Sequence, residues 1–137
     1  MHSLSRLTMI LCRQAWDLRQ ITIASACSPA HNSRPPTAIF CSNDDMAAAA
    51  VAVAHGLGLR VSEDVSVAGF DDTPVATTIW PELTTVHQPV AAMGRAEVSL
   101  LADAIRQRRK GESMTGVHQV MKYTVVKRGS TAAPPQG

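Results

Sequence analysis

The sequence predicts an α/β fold, with a mostly parallel sheet and flanking helices. Short apolar runs of strand length alternate with helical segments, and their spacing fits βαβ connections. Two of the runs are followed by acidic residues. The chain has 137 residues, with 45% hydrophobic and 18% charged residues. These values fit one folded domain with its own core rather than a disordered chain.

The N-terminal segment predicts a helix and a loop. Apolar residues recur every three or four positions over residues 4–18, which indicates one helical face. Residues 21–23 have strand character, and residues 28–36 carry many turn-forming residues. The apolar run over 7–12 is too short for a transmembrane helix or the core of a secretion signal. We therefore expect a cytoplasmic protein.

A strand followed by a helix is predicted next. Residues 37–41 form a continuous apolar run, and an alanine-rich helix is expected over about 44–55. Ser42 or Asn43 suits the N-cap, and either of the two glycines after the helix can end it. The helix is apolar on every side, so we expect the sheet to cover one side and another subunit the other.

The strand pattern then repeats. Residues 65–70 predict a second strand that again ends in acids, and Thr73 with Pro74 can open a short helical turn. Residues 83–86 predict a third strand. If these strands are parallel, the residues that follow them lie at one edge of the sheet, where ligands of such folds gather.

A long helix and a final strand complete the prediction. Pro89 suits the first helical turn of a segment that runs to Lys110. Residues 117–127 are rich in β-branched residues and predict a strand, and 132–137 predict a frayed tail. Basic residues at the end of the helix complement its dipole. The positions expected to be buried are Val90, Met93, Leu100, Leu101, Ala104 and Ile105.

Asn43 and Asp71 follow two consecutive strands and are the candidate ligand-binding residues. Ionised carboxylates accept hydrogen bonds, and an amide both donates and accepts, so together they suit the hydroxyl groups of a sugar. Helix capping explains Asp44 and Asp45 equally well, whereas Asp71 has no clear helix to cap. The Trp80 ring is close enough in sequence to form a pocket wall, with core or subunit packing as the other interpretation.

An alternative function uses the same acids to hold Mg²⁺. Asp44, Asp71 and Asp72 resemble the acidic cluster of a phospho-receiver or phosphoryl-transfer domain. Such sites are completed by a lysine from a later strand, and the strand ending at Val86 is followed by His87 instead. The sequence has no nucleophile elbow or phosphate-binding loop. We expect no enzyme activity and no cofactor.

Charge and cysteine content argue against a nucleic-acid-binding protein and against a zinc or redox protein. Thirteen basic and eleven acidic residues give a net charge of +2, too small for a dedicated nucleic-acid binder. Cys12, Cys27 and Cys41 are too far apart to form a zinc or redox motif and are expected to be reduced thiols.

Several ordered blocks closely resemble the C-terminal part of LacI/GalR-type bacterial transcriptional regulators, from about Pro36 to Pro135. The blocks are Asn43-Asp44-x-Met46-Ala47, Gly58-Leu59-Arg60-Val61-x-Glu63-Asp64-Val65-Ser66-Val67, Gly69-Phe70-Asp71-Asp72, Leu83-Thr84-Thr85-Val86 and Val125-Val126-Lys127-Arg128-x-Ser130-Thr131. The resemblance implies the second lobe of a periplasmic-binding-protein-like effector domain. It also implies a homodimer and a sugar-like effector, with DNA bound only by a helix-turn-helix head absent from this chain.

The resemblance also implies roles for individual residues. The effector contacts map onto Asp71 and Asn43, with Trp80 nearby. The implied dimer interface comprises Met46, Ala47, Ala50, Val51, Ala54, Val75 and Ile79.

Departures from the family pattern concern mainly the N-terminus. Ala49 stands where glycine is frequent and Ser62 where proline is usual. Residues 1–36 have no clear counterpart, residues 37–131 are expected to form the effector lobe, and 132–137 a flexible tail. The composition changes near residue 36, which suggests a truncation, a misread frame or a start codon placed inside a longer gene.

Overall fold

The computed structural model describes residues 10–12, 36–111 and 116–133. The predicted strand over 21–23, the loop over 28–35 and the end of the predicted tail lie outside the described residues. In chain order the elements are β1 (Ile10–Cys12), β2 (Ala38–Cys41), α1 (Asp44–Gly56), β3 (Ser66–Ala68), α2 (Val75–Thr78), β4 (Thr85–His87), α3 (Val90–Arg109) and β5 (Thr124–Val126). The α/β class and the order of elements after residue 36 are as predicted.

The strands β1, β2 and β3 form a parallel sheet in that order. Ala38 pairs with Ser66, so β2 and β3 run side by side in the same direction. The chain beyond β3 continues the parallel arrangement, with isolated bridges from Ala68 to Thr84 and from Asp71 to His87. The strand β4 also pairs with β5 in a separate two-stranded sheet. The residues after β2, β3 and β4 therefore lie at the same edge.

Residues Ile10–Cys12 form the strand β1, which corrects the prediction of a helix at these positions. The rest of the predicted helix over 4–18 lies outside the described residues. Ile10 to Cys12 pair in parallel with Ile39 to Cys41 of β2. A short apolar run has no periodicity that separates a strand from a buried helical turn. Strand pairing decides between them here, because β1 satisfies hydrogen-bonding groups of β2 on the side that does not face β3.

The helix α1 has the predicted caps. Asn43 has an extended backbone, and its Oδ1 accepts a hydrogen bond from the Met46 amide at 2.9 Å. At the other end Gly58 adopts a positive φ of 75°. One side of the helix is buried in the core against β2 and β3, while Ala52 on the other side is exposed.

The segment after β5 joins β3 to β4 through Ser130. The Ser130 hydroxyl is fully buried, accepts a hydrogen bond from the Thr84 amide at 2.8 Å and donates to the Val67 carbonyl at 2.6 Å. The Val67 amide in turn donates to the Ser130 carbonyl at 2.9 Å. This segment therefore satisfies backbone groups that neither strand satisfies alone.

The chain divides into two compact units. One comprises residues 1–87 and 125–137, and the other residues 88–124. The predicted 37–131 lobe therefore contains a second unit within it. The helix α3 belongs to this second unit, and none of its residues is buried. Leu101 is 63% exposed and Val90 61%, so the prediction of a buried side for this helix is wrong within this chain. Among the described residues, no helix combines the length and apolar character needed to cross a membrane.

Candidate functional site

Asn43 and Asp71 lie at the same edge of the sheet, as the sequence predicts. Asn43 follows β2 and Asp71 follows β3, and these two strands are parallel neighbours. Asp71 pairs in parallel with His87, the last residue of β4. Both Asn43 and Asp71 are half-buried. This carboxyl edge is the candidate site.

Asn43 has two functions open to it at this position. Its Oδ1 atom accepts from the Met46 amide and caps α1. Capping fixes the side chain and leaves the Nδ2 group as the part that can donate to a ligand hydroxyl. Capping and ligand contact are therefore compatible for this residue.

Asp44 is fully buried and holds the site together. Its Oδ2 accepts hydrogen bonds from the Thr73 amide at 2.7 Å and from the Thr73 hydroxyl at 3.2 Å. Its Oδ1 accepts from the Thr85 hydroxyl at 2.5 Å. One carboxylate thus connects the start of α1, the loop after β3 and the first residue of β4. Both of its oxygens accept hydrogen bonds from within the fold. Helix capping alone therefore does not explain this residue.

Asp71 and Asp72 form a turn with unusual backbone angles. Their φ values are 108° and 56°, in the region that favours glycine. The Asp71 amide donates to the Val86 carbonyl at 2.9 Å, and the Asp72 amide to the Thr85 hydroxyl at 3.4 Å. The turn is therefore attached to β4 by its backbone, and a strained turn held by its neighbours is frequent at binding sites.

Asp72 is bound by two cationic or polar groups. Its Oδ1 accepts from Arg128 Nη2 at 2.7 Å, and its Oδ2 lies 3.1 Å from His87 Nδ1. The Arg128 hydrogen bond holds the pKa of Asp72 below its ordinary value, against the partial burial that raises it. No local pattern in the sequence assigns a role to Arg128. The one feature that singles it out in the sequence is its position in the block over 125–131 that resembles the LacI/GalR-type regulators.

The structure does not bring Trp80 together with Asn43 and Asp71, so its ligand contact stays a prediction without support from the geometry. Trp80 is 82% exposed and lines a shallow pocket of about 360 Å³ with Val61, Pro81 and Gly129 among others. Residue 80 precedes β4 and residue 61 precedes β3, whereas Asp71 follows β3. The ring therefore lies toward the opposite end of the strands from Asp71. Its exposure also excludes the interpretation that it packs in the core.

Most of the residues predicted to form the dimer interface are buried inside the single chain. Five of the seven residues are at most 4% exposed within the single chain, because they pack against its own sheet. Such side chains have no surface left for a second subunit. The five are Met46, Ala47, Ala50, Val51 and Ala54. Val75 and Ile79, the other two, are half-buried.

The Mg²⁺ alternative finds no support at this edge. Both oxygens of Asp44 accept hydrogen bonds from threonines, and Asp72 is paired with Arg128. Within residues 36–111 and 116–133, no three His, Cys, Asp or Glu side chains are grouped as metal ligands would be. A cation would have to displace these hydrogen bonds before it could bind.

Comparison with known families decides between the two interpretations. Residues 11–131 match the family profile of the periplasmic binding protein-like domain. The chain belongs to this family. The match begins N-terminal to residue 36, within the segment for which the sequence suggested no counterpart. It gives no support to a phospho-receiver domain, and it confirms the predicted fold.

The relatives are LacI-type transcriptional regulators, as the sequence blocks suggested. The HTH-type transcriptional repressor PurR of Pectobacterium atrosepticum is 41% identical over 100 residues, which are 73% of this chain and 28% of the relative. The chain thus spans 28% of the length of this curated relative.

Solved structures of such regulators are also similar. The transcriptional regulator CelR in complex with cellobiose has a TM-score of 0.61 and 38% identity, covering 69% of this chain and 28% of that one. The dimeric Lac repressor with an 11-residue C-terminal deletion has a TM-score of 0.59 and 37% identity, covering 73% and 35%. The chain therefore contains part of an effector-binding domain of the LacI type.

Proposed function

We propose that this chain forms an effector-binding and dimerisation lobe of a LacI-type transcriptional regulator, with a small sugar as its effector. The single observation that carries the proposal is the placement of Asn43 and Asp71 at one carboxyl edge of a parallel sheet. The CelR relative holds cellobiose, which supports a carbohydrate as the class of ligand.

The chemistry of the edge suits hydroxyl groups. A carboxylate at Asp71 accepts from two neighbouring hydroxyls, and the Asn43 amide donates to a third oxygen. A site built from such groups discriminates strongly against molecules that lack the matching hydroxyls, because its own polar groups would remain unpaired. Effector binding would then shift the balance between conformations that a DNA-binding head senses.

Further expectations follow from the same proposal. We expect no enzyme activity and no cofactor, since the proposed role is reversible binding. Operator DNA would be contacted by a helix-turn-helix domain, because this chain carries a net charge of only +2. A transcriptional role places the protein in the cytoplasm.

The test is binding of sugars by the chain and by its Asp71→Asn variant. We expect a panel of glucose, galactose, sucrose and cellobiose at millimolar concentration to shift the amide NMR signals of residues 43 and 71. Asp71→Asn keeps the shape but turns one acceptor into a donor. It should weaken the affinity for the bound sugar by about 10-fold or more, since hydrogen bonds to charged groups contribute about 1.5–3 kcal/mol.

The matched control is Asp45→Asn, an exposed aspartate in the first turn of α1. It should bind sugar as the unmodified chain does. If none of the sugars shifts these signals while Mg²⁺ at millimolar concentration raises the Tm, the proposed sugar site is wrong.

A second subunit is expected on the face around Trp80. Trp80 is 82% exposed and adjoins Ile79, and the Lac repressor relative is a dimer. An exposed tryptophan next to a half-buried apolar residue is typical of a protein interface. We propose that this face, with Val75, contacts the second copy, in place of the buried side of α1.

Trp80→Glu should convert the dimer to a monomer without loss of fold. The side chain contributes little to the core because it is exposed, whereas a buried carboxylate at an interface is unfavourable. The mass in solution, measured by light scattering, reports the change. Leu57→Glu, at another exposed apolar position, should leave the mass unchanged. A dimer that persists in Trp80→Glu would contradict this interface.

A further inference from the structure

The Asp72 carboxylate is bound by two side chains that flank the 88–124 unit along the sequence. His87 is the last residue before that unit, and its Nδ1 lies 3.1 Å from Asp72 Oδ2. Arg128 lies in the second stretch of the first unit, which begins at Val125, and its Nη2 donates to Asp72 Oδ1 at 2.7 Å. Asp72 thus contacts one side chain that precedes residues 88–124 in the sequence and one that follows them.

Arg128 is held in place at both sides of its guanidinium group. Its Nη1 donates to the Leu83 carbonyl at 2.9 Å while Nη2 donates to Asp72, and the side chain is only 16% exposed. Its backbone is fixed as well, since the Arg128 amide donates to the Thr84 hydroxyl at 2.9 Å. A planar group fixed at two points determines where its partner carboxylate lies.

The turn needs such a constraint because its backbone is strained. Both Asp71 and Asp72 have positive φ, a conformation that persists only when the surroundings determine it. The Asp72 amide makes a long hydrogen bond of 3.4 Å to the Thr85 hydroxyl. The short ion pair with Arg128 constrains the side-chain end of this turn.

We propose that Arg128 is a positioning residue for ligand binding. Through Asp72 it fixes the strained turn in the conformation that places Asp71 at the carboxyl edge of the sheet. The inference rests on the proposed function, since it takes Asp71 as the ligand contact. The hydrogen bond and the positive charge of Arg128 lower the pKa of Asp72, which agrees with a close ion pair.

A second ion pair in the chain provides a matched control. Arg60 Nη2 lies 2.7 Å from Asp64 Oδ1, the same separation as in the Arg128 pair, and Arg60 Nε donates to Oδ2 at 2.9 Å. The Arg60 side chain is 70% exposed, and the pair lies in the loop before β3. It has the same chemistry but lies outside the turn that carries Asp71.

The first experiment measures amide hydrogen exchange by NMR in the chain without ligand. Arg128→Gln should speed exchange of the Asp71 and Asp72 amides by about 10-fold or more relative to core amides of α1, because the turn opens locally. Arg128→Lys should give an intermediate effect, since an ammonium lacks the second fixed donor. Arg60→Gln should leave both amides unchanged.

Coupling between the two residues is tested with Asp72→Asn. In the Arg128→Gln background this change should speed exchange little further, since the interaction is already lost. Equal acceleration of every amide by Arg128→Gln, including those of α1, would show a general role in stability and overturn the proposal. Unchanged exchange at residues 71 and 72 would overturn it as well.

The second experiment measures cellobiose binding by the same variants. Arg128→Gln should weaken the affinity by about 10-fold while the affinity of Arg60→Gln stays at the level of the unmodified chain. Failure of the unmodified chain to bind any sugar of the panel would contradict the proposed function alone, because the exchange experiment needs no ligand. Local opening of the turn with unchanged cellobiose affinity would contradict the positioning role alone.

Discussion

Replacing Asp44 with alanine is expected to lower the free energy of unfolding by about 3 kcal/mol or more. The change removes the acceptor of the Thr73 amide, the Thr73 hydroxyl and the Thr85 hydroxyl at once. A buried donor without a partner costs about 1–3 kcal/mol, and a void remains where the fully buried carboxylate was. Chemical denaturation followed by circular dichroism measures the loss.

Asp44→Asn provides a second variant that retains the shape if the alanine variant does not fold. The amide keeps one acceptor oxygen but directs its NH₂ group toward one of the threonine donors, so we expect a smaller loss of stability. Asp45→Ala is the control, because Asp45 is exposed and only favours the positive end of α1. If Asp44→Ala and Asp45→Ala unfold at the same denaturant concentration, Asp44 does not hold the loop after β3.

The unit formed by β2 and α1 could be predicted from sequence because its signals are local. An apolar run of strand length, an N-cap residue and two acids in the first turn act within a few residues of one another. The structure places the helix at Asp44–Gly56, one residue longer than expected. The common edge of Asn43 and Asp71 could be predicted too, because parallel strands bring their carboxyl ends together.

The role of Asp44 could not be predicted because its partners are distant in sequence. Thr73 is 29 residues away and Thr85 is 41 residues away. A helix-capping interpretation accounts for an acid in the first turn without them. The same limit applies to Arg128, which reaches Asp72 across 56 residues. Local pattern identifies a polar residue, whereas tertiary structure decides what it binds.

The hydrophobic pattern also does not show which surface buries the apolar face of a helix. The resemblance implies a subunit interface for the apolar residues of α1, but Ala47, Ala50 and Ala54 are fully buried against the chain's own sheet. The periodicity of α3 predicts a buried apolar face, but Ile105 on that face is 47% exposed. Periodicity shows that a face is suited to burial and contains no information about what buries it. Trp80 illustrates the same point, since closeness in sequence to Asp71 did not place it beside that residue.

Gly69 is the position where an added methyl group should be least tolerated. A Cβ built on Gly69 would collide with Asp44 Oδ1, would lie 2.7 Å from Leu83 Cδ2 and would lie 3.2 Å from the Asp44 Cα. Two of these atoms belong to a residue fixed by its own hydrogen bonds, and Leu83 is fully buried. We expect Gly69→Ala to lower the free energy of unfolding by about 2–3 kcal/mol, within the range for overpacked cores.

A control substitution separates the steric effect at Gly69 from the general effect of replacing glycine with alanine. Gly56→Ala, at the last residue of α1 with open space around it, should change stability by less than about 1 kcal/mol. Because the Gly69 methyl displaces Asp44, its penalty should be smaller in the Asp44→Asn background than in the unmodified chain. Strictly additive losses in a double-mutant cycle would contradict this. The close approach of Gly69 to Asp44 would then not be what requires glycine between β3 and the Asp71 turn.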